Sequence, residues 1–216
     1  MVWFNNLKIG SNLVLSFVFV AILAGIVGIV GIINIKSLNK SDTALYNEMT
    51  VPISEMSELT TAFQRLRVNF RDAILASDAK NIEANIAKVN ENMELMDELS
   101  AKFSKTMTTG EIKTAYENYV AAKKTYNDKL PEFEAIIIAN KDEEAIAAMD
   151  ATTDLGIASS NLQNSIDTMV QIKTEDAKEM AEENTDKANS TVIIMVVVVL
   201  IAVLIAISLG FFLSSV

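Results

Sequence analysis

Apolar residues follow two rhythms along this chain of 216 residues. From Leu13 to Ile33 and from Val192 to Leu213 they run almost unbroken. Between those runs they recur every three or four positions, the period of a helix with one buried stripe. Met49, Met56, Phe63 and Phe70 stand seven apart, with Leu45, Leu59, Leu66 and Ala73 in the alternate positions. A second series is Ile82, Ile86, Val89, Met93, Met96, Phe103; a third is Ile112, Ala115, Tyr119, Tyr126, Leu130, Phe133, Ile137. The fourth is Leu155, Leu162, Ile166, Met169, Ile172, Met180. The spacing predicts four long helices over 36–76, 79–106, 110–139 and 142–190, packed through an a/d seam.

The breaks between series have a local cause. Ser77-Asp78 offers a cap for the second helix. Thr108 with Glu111 forms a capping-box pattern before the third, and Asn140 with Glu143 has the same spacing before the fourth. Connections of a few residues force neighbours to run antiparallel. The expected fold is therefore all-α: an up-down-up-down four-helix bundle between two transmembrane helices. Pro52 and Pro131 each remove a backbone donor and should bend the first and third helices.

Charge sharpens the division. Between Lys36 and Ser190 lie all 28 acidic residues and 17 of the 18 basic ones, so this middle carries −11. Only Lys8 lies outside it. Each apolar run is long enough, at ~1.5 Å per residue, to span a hydrocarbon core of about 30 Å. The expected segments are a cytoplasmic tail (1–12), a first span (13–35), an extracytoplasmic sensor domain (36–190), a second span (191–213) and the start of a further cytoplasmic part (214–216). Lys8 and the amino terminus set this orientation by the positive-inside tendency. The first run is longer than a signal-peptide core and flows into more helix, so an uncleaved anchor is expected.

Neither cysteine nor histidine occurs. That removes disulfides, thiolate or imidazole metal ligands, and Ser–His or Cys–His catalysis. With no glycine-rich phosphate loop either, the chain is expected not to be an enzyme. No cofactor, metal or nucleic-acid partner is expected.

The three arginines, Arg65, Arg67 and Arg71, fall within seven residues. A guanidinium fork fits carboxylate or phosphate better than an ammonium does. In the heptad register Arg67 and Arg71 share one flank of the first helix, and Arg65 falls elsewhere. Two readings stand: an anion site beside the seam, or a solvated face with ion pairs such as Arg71 to Asp72 or Glu58. If both outer helices rise equally from the membrane at 36 and 190, residues at one height have numbers adding to about 226. Arg67 and Arg71 then lie level with a polar stretch of the fourth helix that holds Thr152, Thr153, Gly156, Ser159, Ser160, Asn161, Gln163 and Asn164. Arg67, Arg71, Arg65, Thr152, Thr153, Ser159, Ser160 and Gln163 are the candidate ligand residues, with exposed surface as the competing reading of the stretch. In the first span, Ala21, Gly25, Gly28 and Gly31 offer a small-residue face for dimerisation or for packing on the second span. Asp142-Glu143-Glu144 reads as compensation of a helix dipole.

The opening Phe4-Asn5-Asn6-Leu7-Lys8-Ile9-Gly10, followed at once by a span, resembles the start of methyl-accepting chemotaxis receptors. Leu45-Tyr46-Asn47-Glu48, Val51-Pro52-Ile53, Leu66-Arg67 and Phe70-Arg71-Asp72 resemble the first helix of their four-helix-bundle sensor domains. The resemblance implies a homodimer that binds a small ligand across helix 1, with Arg67 and Arg71 matching an arginine pair; Arg65 does not match. It also implies a helix 4 displacement as the signal. The expected partners are a small, anionic molecule or a ligand-loaded extracytoplasmic binding protein. Kinase coupling would need a cytoplasmic region beyond Val216, where the sequence stops. The same layout would suit the sensor of a histidine kinase or cyclic-dinucleotide enzyme, or a structural oligomerisation bundle.

Overall fold

The structure, a computed structural model, describes residues 9–107 and 109–214, with side chains described for 14–107, 109–208, 210 and 211. Lys8, the opening motif up to Lys8, Thr108 and the last two residues lie outside it. The elements are α1 (Ile9–Leu45), a π-helical turn (Tyr46–Thr50), α2 (Val51–Ile74), α3 (Ala79–Phe103), α4 (Gly110–Asn127), α5 (Leu130–Ile138), α6 (Asp142–Ala148) and α7 (Asp154–Ser214). A single 3₁₀ turn, Ser104–Thr106, closes α3. The described residues contain no strand. Two compact units result: Leu45–Glu179, and the chain ends Met1–Ala44 with Met180–Val216.

Within the first unit the helical series close into a bundle. Phe63 meets Tyr126 edge-on at 5.5 Å and Phe70 meets Phe133 at 5.0 Å. Both pairs advance seven residues together, so α2 runs parallel to α4 and α5. Ser100 bonds Tyr116, and Lys123 pairs with Asp97, so α3 runs antiparallel to α4. Gln64 bonds Gln163 and Glu48 bonds Lys173, so α7 runs antiparallel to the first helix. Up-down-up-down topology follows. The core takes Met56, Leu59, Phe63, Leu66 and Phe70 from α2, with matching residues of α3, α4, α5 and α7. Ile86, Met93 and Leu155, expected in the seam, are only partly buried against it. Ser100, Lys123 and Lys173 are buried polar members that hydrophobic periodicity does not reveal.

The breaks differ in part from expectation. Asp78 caps α3, its Oδ1 accepting from the Asn81 N–H at 2.9 Å. The cap of α4 is Thr109, whose hydroxyl accepts from the Ile112 N–H; the expected Thr108 lies outside the described residues. Asn140 is no N-cap. Its φ of 53° is left-handed, and it closes α5: Asn140 N–H donates to the Ile137 carbonyl and Lys141 N–H to that of Ile136. This pair of bonds is a Schellman motif, in which asparagine tolerates the left-handed residue. The fourth long helix therefore begins at Asp154, not 142. The stretch before it forms the short α6, which packs on α5 and buries Ala145. Lys141 pairs with Glu144 at the start of α6.

Both prolines stand where the regular helix is interrupted. The π-helical turn precedes Pro52, which is buried in the first turn of α2. Pro131 sits in the first turn of α5, and the third helix breaks before it, at Asp128 and Lys129.

In the second unit, α1 and the end of α7 run side by side. Ser41 accepts from Lys187 at 3.3 Å, and Gly31 faces the Met195 methyl. Both lie in helices long and apolar enough to cross a membrane. Their aliphatic side chains stay open, among them Ile29, Ile33, Ile193 and Leu204. Gly31 alone of the small residues meets the second run. A Cβ at Gly25 or Gly28 would find nothing within 4 Å, and Ala21 is exposed. Within one chain, therefore, these three do not pack the two spans together.

Candidate functional site

A cavity of about 260 Å³ opens on the bundle between α2, α4, α5 and α7. Arg67, Phe70 and Arg71 enter it from α2, Tyr126 from α4 and Phe133 from α5. Leu155, Gly156, Ser159, Ser160, Gln163 and Asn164 come from α7, and Met149 and Ala151 from the turn before it. The heptad explains the arrangement. Phe70 holds a seam position, so its neighbours Arg67 and Arg71, one turn apart, flank the seam on the side facing α7.

The two guanidinium groups are held differently. Arg67 is half-buried, stacks over the Phe63 ring with its carbon 5.8 Å from the centroid, and donates to Gln64 Oε1 at 3.3 Å. Gln64 Nε2 in turn donates to Gln163 Oε1, and Gln163 Nε2 to Asp167 at 2.8 Å. A relay of amides thus links the arginine to α7. Arg71 is exposed at the rim. Neither arginine forms an ion pair among the described residues, so the expected alternative of Arg71 with Asp72 or Glu58 is not the arrangement found. Burial pushes the Tyr126 phenol up, against the opposing pull of the Arg67 charge, so it stays a neutral hydroxyl on the cavity wall.

The acids around the cavity are committed elsewhere. Asp154 pairs with Lys129 at 2.9 Å, which holds its carboxyl below the usual range. Asp150 accepts from the Thr152 hydroxyl and N–H at 2.6 and 2.9 Å, with the same effect. Among the described residues no carboxylate lines the cavity.

Five of the eight expected ligand residues share this cavity: Arg67, Arg71, Ser159, Ser160 and Gln163. Three do not. Arg65 lines a separate groove with Lys88, Glu91 and Asn92. Thr152 holds Asp150. Thr153 starts α7: its hydroxyl accepts from the Gly156 N–H at 3.1 Å and reaches the carbonyls of Ala148 and Asp150. These threonines shape the turn that forms one wall. Gly156 lets that turn approach, since a Cβ there would lie 2.0 Å from the Asp150 carbonyl oxygen. The aromatic floor of Phe70, Tyr126 and Phe133 reads in the sequence only as seam, and Gln64 carries no signal beyond being polar. The height argument holds well: Gln64 with Gln163, Ser41 with Lys187 and Gly31 with Met195 all add to within two of the expected sum.

Residues 6–188 match a family model described as a four helix bundle sensory module for signal transduction. No curated protein and no solved structure gives a significant match.

Proposed function

This chain belongs to the four-helix-bundle sensory modules of signal transduction, and from that premise we propose that it is the sensing and membrane-crossing part of a chemotaxis-type receptor. Residues 36–190 lie outside the membrane in this reading, and a small anion binds between Arg67, Arg71 and the hydroxyl and amide face of α7. The observation that carries it is a pair of guanidinium groups with no ion-pair partner among the described residues, set in a cavity whose opposite wall is Ser159, Ser160, Gln163 and Asn164.

A carboxylate drawn between them would bind better in one position of α7 than in another. That difference shifts the balance between two packed arrangements. α7 continues as one helix from the cavity wall through the second apolar run to Ser214, without proline. A small displacement at Ser159 then travels along a stiff rod. The receptor acts as a homodimer and signals through a cytoplasmic output region.

The test uses the whole chain in lipid nanodiscs with a panel of small carboxylates, read by calorimetry. At least one should bind, and replacing Arg67 and Arg71 by alanine together should abolish that binding. Undiminished affinity in the double variant would refute the site.

A further inference from the structure

We infer that Lys173 is a two-position latch on α7. In one position its ammonium ties the helix to its neighbours; in the other it turns to the Asp176 carboxylate and leaves the helix free to shift. The inference goes beyond the anion site and does not depend on it. It starts from a mismatch in the bundle interior. The Lys173 ammonium, with no exposed surface, donates to the carbonyls of Glu48 and Thr106, both at 2.9 Å, and lies 3.8 Å from the Met49 sulfur. A carboxylate is a stronger partner for an ammonium than a carbonyl is. Yet Asp176 Oδ2, buried three residues further along the same helix, has no hydrogen-bond partner among the described residues.

Residues three apart on a helix are neighbours, and the four-carbon stem of lysine can swing between partners. The Asp176 charge already acts on the ammonium, against the effect of burial. Each position leaves a buried acceptor short. With Lys173 on the carbonyls, the Asp176 oxygen goes without a donor. With Lys173 on Asp176, the carbonyls of Glu48 and Thr106 do. A buried polar group without a partner costs free energy in both cases, so neither position satisfies the whole set. Two packed arrangements that each satisfy one part make a bistable element. The carbonyls belong to other segments, whereas Asp176 belongs to α7 itself. The first position therefore fastens α7 to the π-helical turn and to the 3₁₀ turn, and the second fastens it to neither.

The experiment uses the whole chain in nanodiscs without added ligand, so its outcome is separate from that of the anion site. The chain has no cysteine, which lets spin labels be set at Asp72→Cys on α2 and Thr168→Cys on α7, both exposed. The two positions differ in height by roughly 21 Å, so their separation reports sliding of α7. Pulsed electron paramagnetic resonance reads the distance distribution. Asp176→Asn removes the second position and should narrow the distribution by about 1–2 Å, the size of a helix shift. Lys173→Met removes the first position and should broaden it. Pro52→Ala, which gives the Glu48 carbonyl a donor of its own, should broaden it too and serves if Lys173→Met does not fold. An unchanged or broader distribution in Asp176→Asn would overturn the latch, since Asp176 would then only steady the tied position. Asp176→Asn added to Lys173→Met should change nothing. Narrowing in that double variant would also overturn the latch, because loss of the charge alone would explain it.

Discussion

The ammonium of Lys173 lies 2.9 Å from the backbone carbonyl of Glu48, four residues before Pro52. In α-helical register that carbonyl would accept from residue 52, and proline has no N–H to give. Lys173 supplies a donor from α7. It also donates to the carbonyl of Thr106, at the end of the 3₁₀ turn, where a helix leaves acceptors unmatched. A lysine with no exposed surface thus ties α7 to two places where backbone bonding fails.

Lys173→Met keeps the volume and removes the donor. It should destabilise the bundle by about 1–3 kcal/mol by leaving two carbonyls short of a partner. Pro52→Ala restores an N–H for Glu48, so the loss should shrink in that background. A double-mutant cycle by denaturant unfolding checks this. Strictly additive effects would show that the two residues do not act on one carbonyl.

Gly156→Ala sets two effects against each other. Alanine in a helix ordinarily gains about 1 kcal/mol over glycine. Here its methyl would sit 2.0 Å from a backbone oxygen that cannot swing aside. The clash should win, lowering the unfolding midpoint and weakening anion binding by moving the turn at Ala151. A variant as stable as the parent would mean the turn gives way freely.

The Tyr119 hydroxyl is buried near Ser100, whose own hydroxyl bonds Tyr116, and makes no well-formed hydrogen bond among the described residues. A polar atom left so costs stability, so Tyr119→Phe should be neutral or stabilising by up to about 1–2 kcal/mol. A drop in melting temperature would point to a partner for that hydroxyl.

Alkali should act through the same residue. Burial raises the Tyr119 and Tyr126 phenols above their usual 10.0. Their contribution is therefore whole below pH 10.0 and falls away as pH rises beyond it. Lys173 has the opposite sign, since burial holds it below its usual 10.5. The unfolded chain then keeps a proton that the folded one sheds, and stability grows as pH climbs toward 10.5. Unfolding midpoints across alkaline pH should rise before they fall. Lys173→Met should lose the rise and keep the fall.

Much of the bundle was legible because its signals are local. Phe63, Phe70, Tyr126 and Phe133 declare their burial by spacing alone, and Asp78 declares a helix start. The common height of Arg67 and Ser159 follows from a fixed rise per residue. The beginning of α7 was not legible. Asn140 suits an N-cap and a left-handed C-terminal residue equally well, and only the bonds from Asn140 and Lys141 to α5 choose between them.

The sequence by itself determined the helical class, the apolar runs and the flank on which Arg67 and Arg71 stand. Periodicity and charge are written along one dimension, and a helix converts them directly into faces. Tertiary structure alone decided that Thr152 and Thr153 build a turn, that Arg65 lies on another groove, and that Lys173 goes inward to carbonyls that proline and a helix end leave open. A hydroxyl or an ammonium has several possible partners, and only the packed chain shows which of them lies within reach.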